Sequence, residues 1–293
     1  MLKSSGYIFV GCFFTFFTMS CIFSAGTAYG GQNLREAVGG VDAGELVHQV
    51  IQNELAAQTH DQSLWQYRER SQKDGKVSLS QVVETRDGDI HRLLSVNDRP
   101  LPAEQRRNED LRIKDLVQDP QKFKEIQKSR KEDAQKERAL LKQLSEAFCY
   151  QYDGKEGNLI RLRFSPNPNF HPSGREGQVF HHMSGFMLVD PRDKRLAALT
   201  GRLANEVKFG FGLLGHLDQG GTFSVKQQEV GPGHWAMTSL NVEMNGKVLF
   251  FKTIDVREKE TEFNFEMLPS TITLEKAAEL LERNPASQSA SRE

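Results

Sequence analysis

Apolar residues first recur at helical spacing between Val41 and Gln58, where Leu46, Val47, Val50, Ile51 and Leu55 form one stripe. Asp42 is placed to cap this helix, and Glu45, three residues on, to answer it in capping-box fashion. A stripe of this kind needs an apolar surface to lie on, and a sheet is the expected one. The period then changes to two. Trp65 and Tyr67 share one face of a strand, and Val77, Leu79 and Val83 one face of the next. Asp87-Gly88 marks a tight turn into a third strand from Ile90 to Val96, and Asn97-Asp98-Arg99-Pro100 ends the meander.

Residues 102–144 differ in kind. Charges of both signs crowd the segment, with thinly spaced apolar positions at Leu111, Leu116, Phe123, Ile126, Leu140 and Leu141. Asp119-Pro120 divides it into two helices, because the residue before a proline is driven out of the helical region. The pattern predicts a largely solvated helical insertion docked by one narrow face.

From Ala147 to Phe265 strands return, separated by Gly, Pro and Asn turns. Phe148, Tyr150 and Tyr152 alternate, as do Ile160, Leu162 and Phe164. Met183–Val189 leads through Asp190-Pro191-Arg192-Asp193-Lys194 into Leu196–Leu203. The clearest hairpin signal is Asn245-Gly246, expected to join a strand from His234 to Met244 with one from Lys247 to Glu260. Leu274–Leu281 reads as a closing helix, and 284–293 as a disordered polar tail. With about eleven strands joined by sequential hairpins, the expected class is α+β: a long, curled antiparallel sheet, an incomplete barrel, with helices over its concave face.

Residues 1–30 read as an export signal, with Lys3 at the start, an apolar run from Tyr7 to Ala25 and small residues to Gly30. That run approaches the length of a membrane anchor, and Cys21 after Thr18-Met19-Ser20 offers a lipid-anchored alternative. The expected arrangement is a signal at 1–30, then one half-barrel domain over 31–283 carrying the insertion 102–144. A formal net charge of −1 lacks the basic excess of a nucleic-acid binder. Nineteen Phe and 26% charged residues describe a chain with a sizeable core. Past the signal only Cys149 remains, in a strand-like run that predicts a buried structural thiol and no disulfide.

Local wording adds a resemblance. Asp89-Ile90-His91-Arg92-Leu93-Leu94-Ser95-Val96-Asn97-Asp98, Gly185-Phe186-Met187-Leu188-Val189-Asp190-Pro191 with Lys194-Arg195-Leu196, and Asn241-Val242-Glu243-Met244 with Leu249-Phe250-Phe251-Lys252 are strand-and-turn signatures. With the order of elements over residues 42–283, they resemble the bacterial periplasmic lipoprotein-carrier and outer-membrane lipoprotein-sorting (Lol-type) superfamily. Phe164–Pro172 and Gly215–Phe223 resemble an exported bacterial family with no assigned activity. The likeness implies a half-barrel whose cavity shields an acyl chain, with a lipid or acylated protein as ligand and envelope membrane or proteins as partners. The charged insertion is longer than a lid loop of such a carrier.

The chemistry-bearing motifs add little. Gly210-Phe211-Gly212-Leu213-Leu214-Gly215 matches the dinucleotide fingerprint, but Asp218-Gln219-Gly220-Gly221 leaves no room for the helix that fingerprint needs. A glycine-rich strand end fits better, with Phe209, Phe211, Leu213 and Leu214 as apolar lining candidates. Trp65, Phe186, Trp235 and Phe250 are candidates to line the same ligand cavity, or to pack the core. His171, His181, His182, His216 and His234 lack the close spacing of a zinc set, and His181 and His182 would point to opposite faces of a strand. No GxSxG elbow is present. The expected protein is non-catalytic, without cofactor or metal, and binds a lipid-like or lipoprotein ligand. The alternative is an interaction protein with a filled core that docks through its charged helices, and a third reading is a metal-dependent envelope hydrolase.

Overall fold

The computed structural model describes residues 40–172, 176–209, 215–248 and 252–283. Residues 1–30, expected to be an export signal, with Cys21, and Phe211, Leu213, Leu214, Phe250 and 284–293 lie outside the described residues. The chain is α+β, with one large antiparallel sheet that is not closed into a barrel. Helix α1 (Ala43–His60) opens the described chain. Strands β1 (Leu64–Lys73), β2 (Lys76–Val83) and β3 (Ile90–Val96) follow as a meander. The segment expected to end it adds a two-residue strand, β4 (Arg99–Pro100), because Asn97 and Asp98 both take positive φ and fold a tight turn.

Helices α2 (Ala103–Gln118) and α3 (Pro120–Ala147) are divided at Asp119-Pro120, where the Asp119 carboxylate accepts from the Gln121 and Lys122 N–H groups. Then come β5 (Phe148–Glu156), β6 (Leu159–Pro166), a 3₁₀ turn (Glu176–His182), β7 (Met183–Asp190) and β8 (Arg195–Leu203). The short β9 (Val207–Phe209) and β10 (Gly215–Leu217) precede three long strands, β11 (Thr222–Gly231), β12 (His234–Val248) and β13 (Lys252–Leu268). Helix α4 (Leu274–Arg283) closes the described chain. The main sheet runs β4-β3-β2-β1-β13-β12-β11-β8-β7-β6-β5, with β9 and β10 as a side branch on β12. The one non-local pairing that matters most is β1 with β13, which joins the two ends of the chain.

Three local expectations are corrected. Asn245-Gly246 is not a hairpin turn: β12 runs through it, and Asn245 and Gly246 pair with Asp255 and Ile254. Glycine is needed there for a different reason, since a Cβ at Gly246 would stand 2.2 Å from the His216 carbonyl oxygen of β10. Glu45 does not complete a capping box; its carboxylate accepts from Gln49 Nε2 at 2.9 Å, while Asp42 caps Gly44 N–H at 3.0 Å. Cys149 is exposed, because it alternates with Phe148 and Tyr150, and those two take the covered face.

Helix α1 presses its stripe onto β5 and β8 and packs beside α3. Leu46, Val47, Val50 and Ile51 meet Ile160, Leu162, Phe164, Met187 and Leu203 in the main core. Helices α2 and α4 cover the opposite corner. Val82 and its neighbour Val83 are both 0% exposed, and successive strand residues face opposite ways, so both faces of the sheet are covered there. Val83 and Ile90 pack with Ile113 of α2 and with Ala277, Ala278 and Leu281 of α4. Ile113, not the expected Leu111, carries this contact; Leu111 faces solvent. Glu109 also accepts from Leu93 N–H at 2.9 Å, and Arg112 donates to the His91 carbonyl, so α2 caps the open edge of β3. Among the described residues no helix is long and apolar enough to cross a membrane.

Candidate functional site

Directly paired residues of neighbouring strands project to the same face, so one row can be followed across the sheet. The row Leu162, Met187, Leu199, Val225, Leu240 is apolar; beyond β12 it continues as Glu260, Ser71, Ser78. The face that holds the core thus turns acidic where β13 and β1 join.

Glu262 on β13 stands directly opposite Glu69 on β1, and Glu260 opposite Ser71. Carboxylate oxygens of Glu69, Glu260 and Glu262 lie within 4.8 Å of one another. Glu258, the next residue along this alternation, accepts from Lys73 Nζ at 3.4 Å. Glu84 and Asp89, in the connection of β2 to β3, extend the acidic patch, and the Trp65 N–H donates to Glu84 Oε2 at 2.9 Å. Helix α3 serves this region with a polar middle. Its buried side chains are Phe123 and Gln127 near one end and Leu144 and Ala147 at the other. Between them, Arg130 reaches the Asp89 carbonyl at 3.0 Å and the Asp89 carboxylate at 3.7 Å, and Gln127 Nε2 donates to the same carbonyl at 3.2 Å.

Like charges held together out of water shift their titration. Burial first, then Glu260, Glu69, Glu84 and Asp89, pushes Glu262 up to about 9. Burial, then Asp89, pushes Glu84 up to about 7. Burial raises Glu69 and Asp89 while Arg130 pulls both back. His91 Nδ1 lies 4.0 Å from Glu69, yet burial, helped by Arg130 and Arg112, drives it down to about 3 and keeps the ring neutral.

The sequence-predicted residues do not share this site. Trp65 is buried, stacks on His234 with ring centroids 4.6 Å apart, and donates from Nε1 to Ser63 Oγ at 2.8 Å. Phe209 is fully buried in the main core. Phe186 and Trp235 sit instead on a separate cluster with Leu188, Ala197 and Ala198; Arg161 covers Phe186 at 4.1 Å, and Arg195 approaches the Trp235 ring at 5.7 Å. Trp235 also lines an open surface concavity of about 400 Å³ with Asn53, Asp193, Arg195 and Glu229. A second open concavity, about 470 Å³, lies over β11–β13 and includes Lys226, Thr238, Glu262 and Phe263. Beneath the first, Arg195 makes a two-pronged pair with buried Glu54 at 2.8 and 3.1 Å, and Leu196 N–H donates to the same carboxylate at 2.9 Å.

The histidines are dispersed. His181 and His182 lie in the 3₁₀ turn that precedes β7. His216 Nε2 meets Asp218 at 3.2 Å. His234 Nδ1 meets Asp61, and Ser63 Oγ stands 3.2 Å from that same nitrogen. A nucleophilic triad needs serine and carboxylate on different ring nitrogens, so this trio fastens β1 to β12 and does not prime Ser63. Hydrogen bonds from Ser63 and His234 outweigh burial and hold Asp61 below the usual carboxylate range. Among the described residues the one group of three candidate metal ligands in reach of a common ion is Glu69, Glu260 and Glu262, with no histidine in it. Sequence reading passed over it, though the alternation Glu258, Glu260, Glu262 was a legible sign that one face of β13 is acidic. Comparison with family models, with curated proteins and with solved structures found no match to this chain.

Proposed function

We propose that this chain is an exported, non-catalytic interaction protein of the cell envelope, a half-barrel filled by its own helices that docks partners through the charged pair α2–α3. One observation carries the reading. Where β5 to β8 turn their apolar residues inward, Leu46, Val47, Val50 and Ile51 of α1 pack against them in the place an acyl chain would take in a carrier. Vacating it would expose apolar surface at a cost of about 25 cal/mol per Å². The α3 surface that remains open carries the exposed Lys124, Lys128 and Lys131. Residues 1–30, read as an export signal, support the compartment.

Native mass spectrometry of the full chain from its own envelope, with lysine cross-linking, tests this. The expected result is a chain free of acyl ligand, with cross-links to a protein from α3. A stoichiometric acyl ligand overturns it in favour of the carrier reading. One observation favours that second reading. Phe209 pairs with Gly215, Gly215 with Val248, and Val248 with Lys252, so the described ends of two connections, 210–214 and 249–251, lie side by side. Their sequences include Phe211, Leu213, Leu214 and Phe250, the expected lining of a lipid-like ligand.

A further inference from the structure

We propose that Glu69, Glu260 and Glu262 form a binding site for one hard divalent cation on the inner face of the β1–β13 junction. The inference goes beyond the docking function and does not depend on it.

Three observations converge. First, the strand register forces the contact. Glu69 and Glu262 are opposite one another, and Glu260 is the next residue of β13 on the same face, so backbone pairing gathers all three carboxylates. Like charges directly opposite across two strands destabilise a sheet unless something lies between them. Second, the spacing suits an ion. The three carboxylates each bring one oxygen within 4.8 Å of the others, close enough to share a single divalent ion. All three donors are hard oxygens, with no nitrogen or sulfur to select zinc or copper.

Third, Glu262 is left without a partner. It is 9% exposed, and among the described residues it has no hydrogen bond and no ion pair. Buried carboxylates elsewhere in this protein are satisfied: Glu54 has Arg195 and the Leu196 N–H, and Asp190 has Arg192 and the N–H groups of Arg192 and Asp193. An unpartnered buried carboxylate aimed at two others is what a cation site looks like before the ion arrives.

The test uses the full chain, stripped with chelator and titrated with calcium chloride by isothermal calorimetry and by thermal unfolding. One site per chain is expected, with a rise in Tm of several degrees at saturating ion. Glu262→Gln should lower affinity tenfold or more and remove the Tm shift. Glu266→Gln, on the exposed part of the same strand, should change neither. The wild-type titration decides the matter even if Glu262→Gln folds poorly. No saturable heat and no Tm shift with millimolar calcium, magnesium or manganese overturns the site, as does a folded Glu262→Gln that binds calcium like wild type. Either failure leaves the docking function untouched.

Discussion

The two halves of the inner sheet face share a backbone and differ in everything else. From β6 to β8 the face is apolar and packed against α1; where β13 and β1 join it is acidic, and the polar middle of α3 brings Arg130 and Gln127 to Asp89 beside it. In the first half, Phe148 and Phe164 pack with ring centroids 4.6 Å apart and nothing asks for a ligand. In the second, three carboxylates crowd together, and Glu262 has no hydrogen-bond or ion-pair partner among the described residues. A half-barrel can therefore be complete as a fold in one region and incomplete as a chemical assembly in the next. Packing satisfies itself with residues of the same chain, whereas clustered like charges need a proton or a cation.

The largest effect expected from breaking that contrast lies in the apolar half. Phe164→Ala should cost about 3–5 kcal/mol in urea unfolding, as other buried Phe truncations do. A loss below about 1 kcal/mol would show a loosely filled face and restore the carrier reading. Next comes the paired carboxylate. Glu54→Ala strands the Arg195 guanidinium and should destabilise by about 3 kcal/mol, since breaking a buried pair from one side leaves a bare charge. A neutral outcome would mean that the pair is no better satisfied than Glu262.

Glu262→Gln sharpens the comparison through pH. Without divalent ions, Glu262 titrates near 9 when folded and near its ordinary 4.5 when unfolded. The folded state thus holds an extra proton across that window, and stability falls as pH rises through it, by up to about 1.4 kcal/mol per unit. His91 works in the other direction: held down to about 3 against 6.5, it withdraws stability as pH falls from 6.5 towards 3. Urea midpoints of chelator-treated protein across pH should trace both limbs, and Glu262→Gln should flatten only the alkaline one. An unchanged alkaline limb would shift the burden to Glu69 and Glu84. The smallest effect belongs to Asp42→Ala, about 1 kcal/mol for a lost helix cap, measurable by the same urea unfolding. A cost near zero would show that α1 is held by its stripe alone.

Much of the fold was legible in the sequence. The stripe of α1, the break at Asp119-Pro120, the alternation of Ile160, Leu162 and Phe164 and the meander β1–β3 are local patterns, and local patterns set local structure. Asn245-Gly246 misled because tertiary pairing overrode a turn preference: β10 lies so close that glycine was needed for space. The aromatic candidates misled differently. Phe209 lies in the main core, Phe186 and Trp235 share a separate cluster and Trp65 stacks on His234, because periodicity tells which residues share a face of one strand and not which faces meet.

By itself, the sequence determined most of the elements, their order and the antiparallel class. Only the tertiary structure decided that β1 and β13, from opposite ends of the chain, are neighbours. Along β13, Glu258, Glu260 and Glu262 read as an ordinary solvated alternation. Pairing with β1 places Glu69 against them and removes their water, and burial gives those charges chemical consequence. Charge is written residue by residue; the dielectric and the neighbours that act on it come from contacts between distant segments.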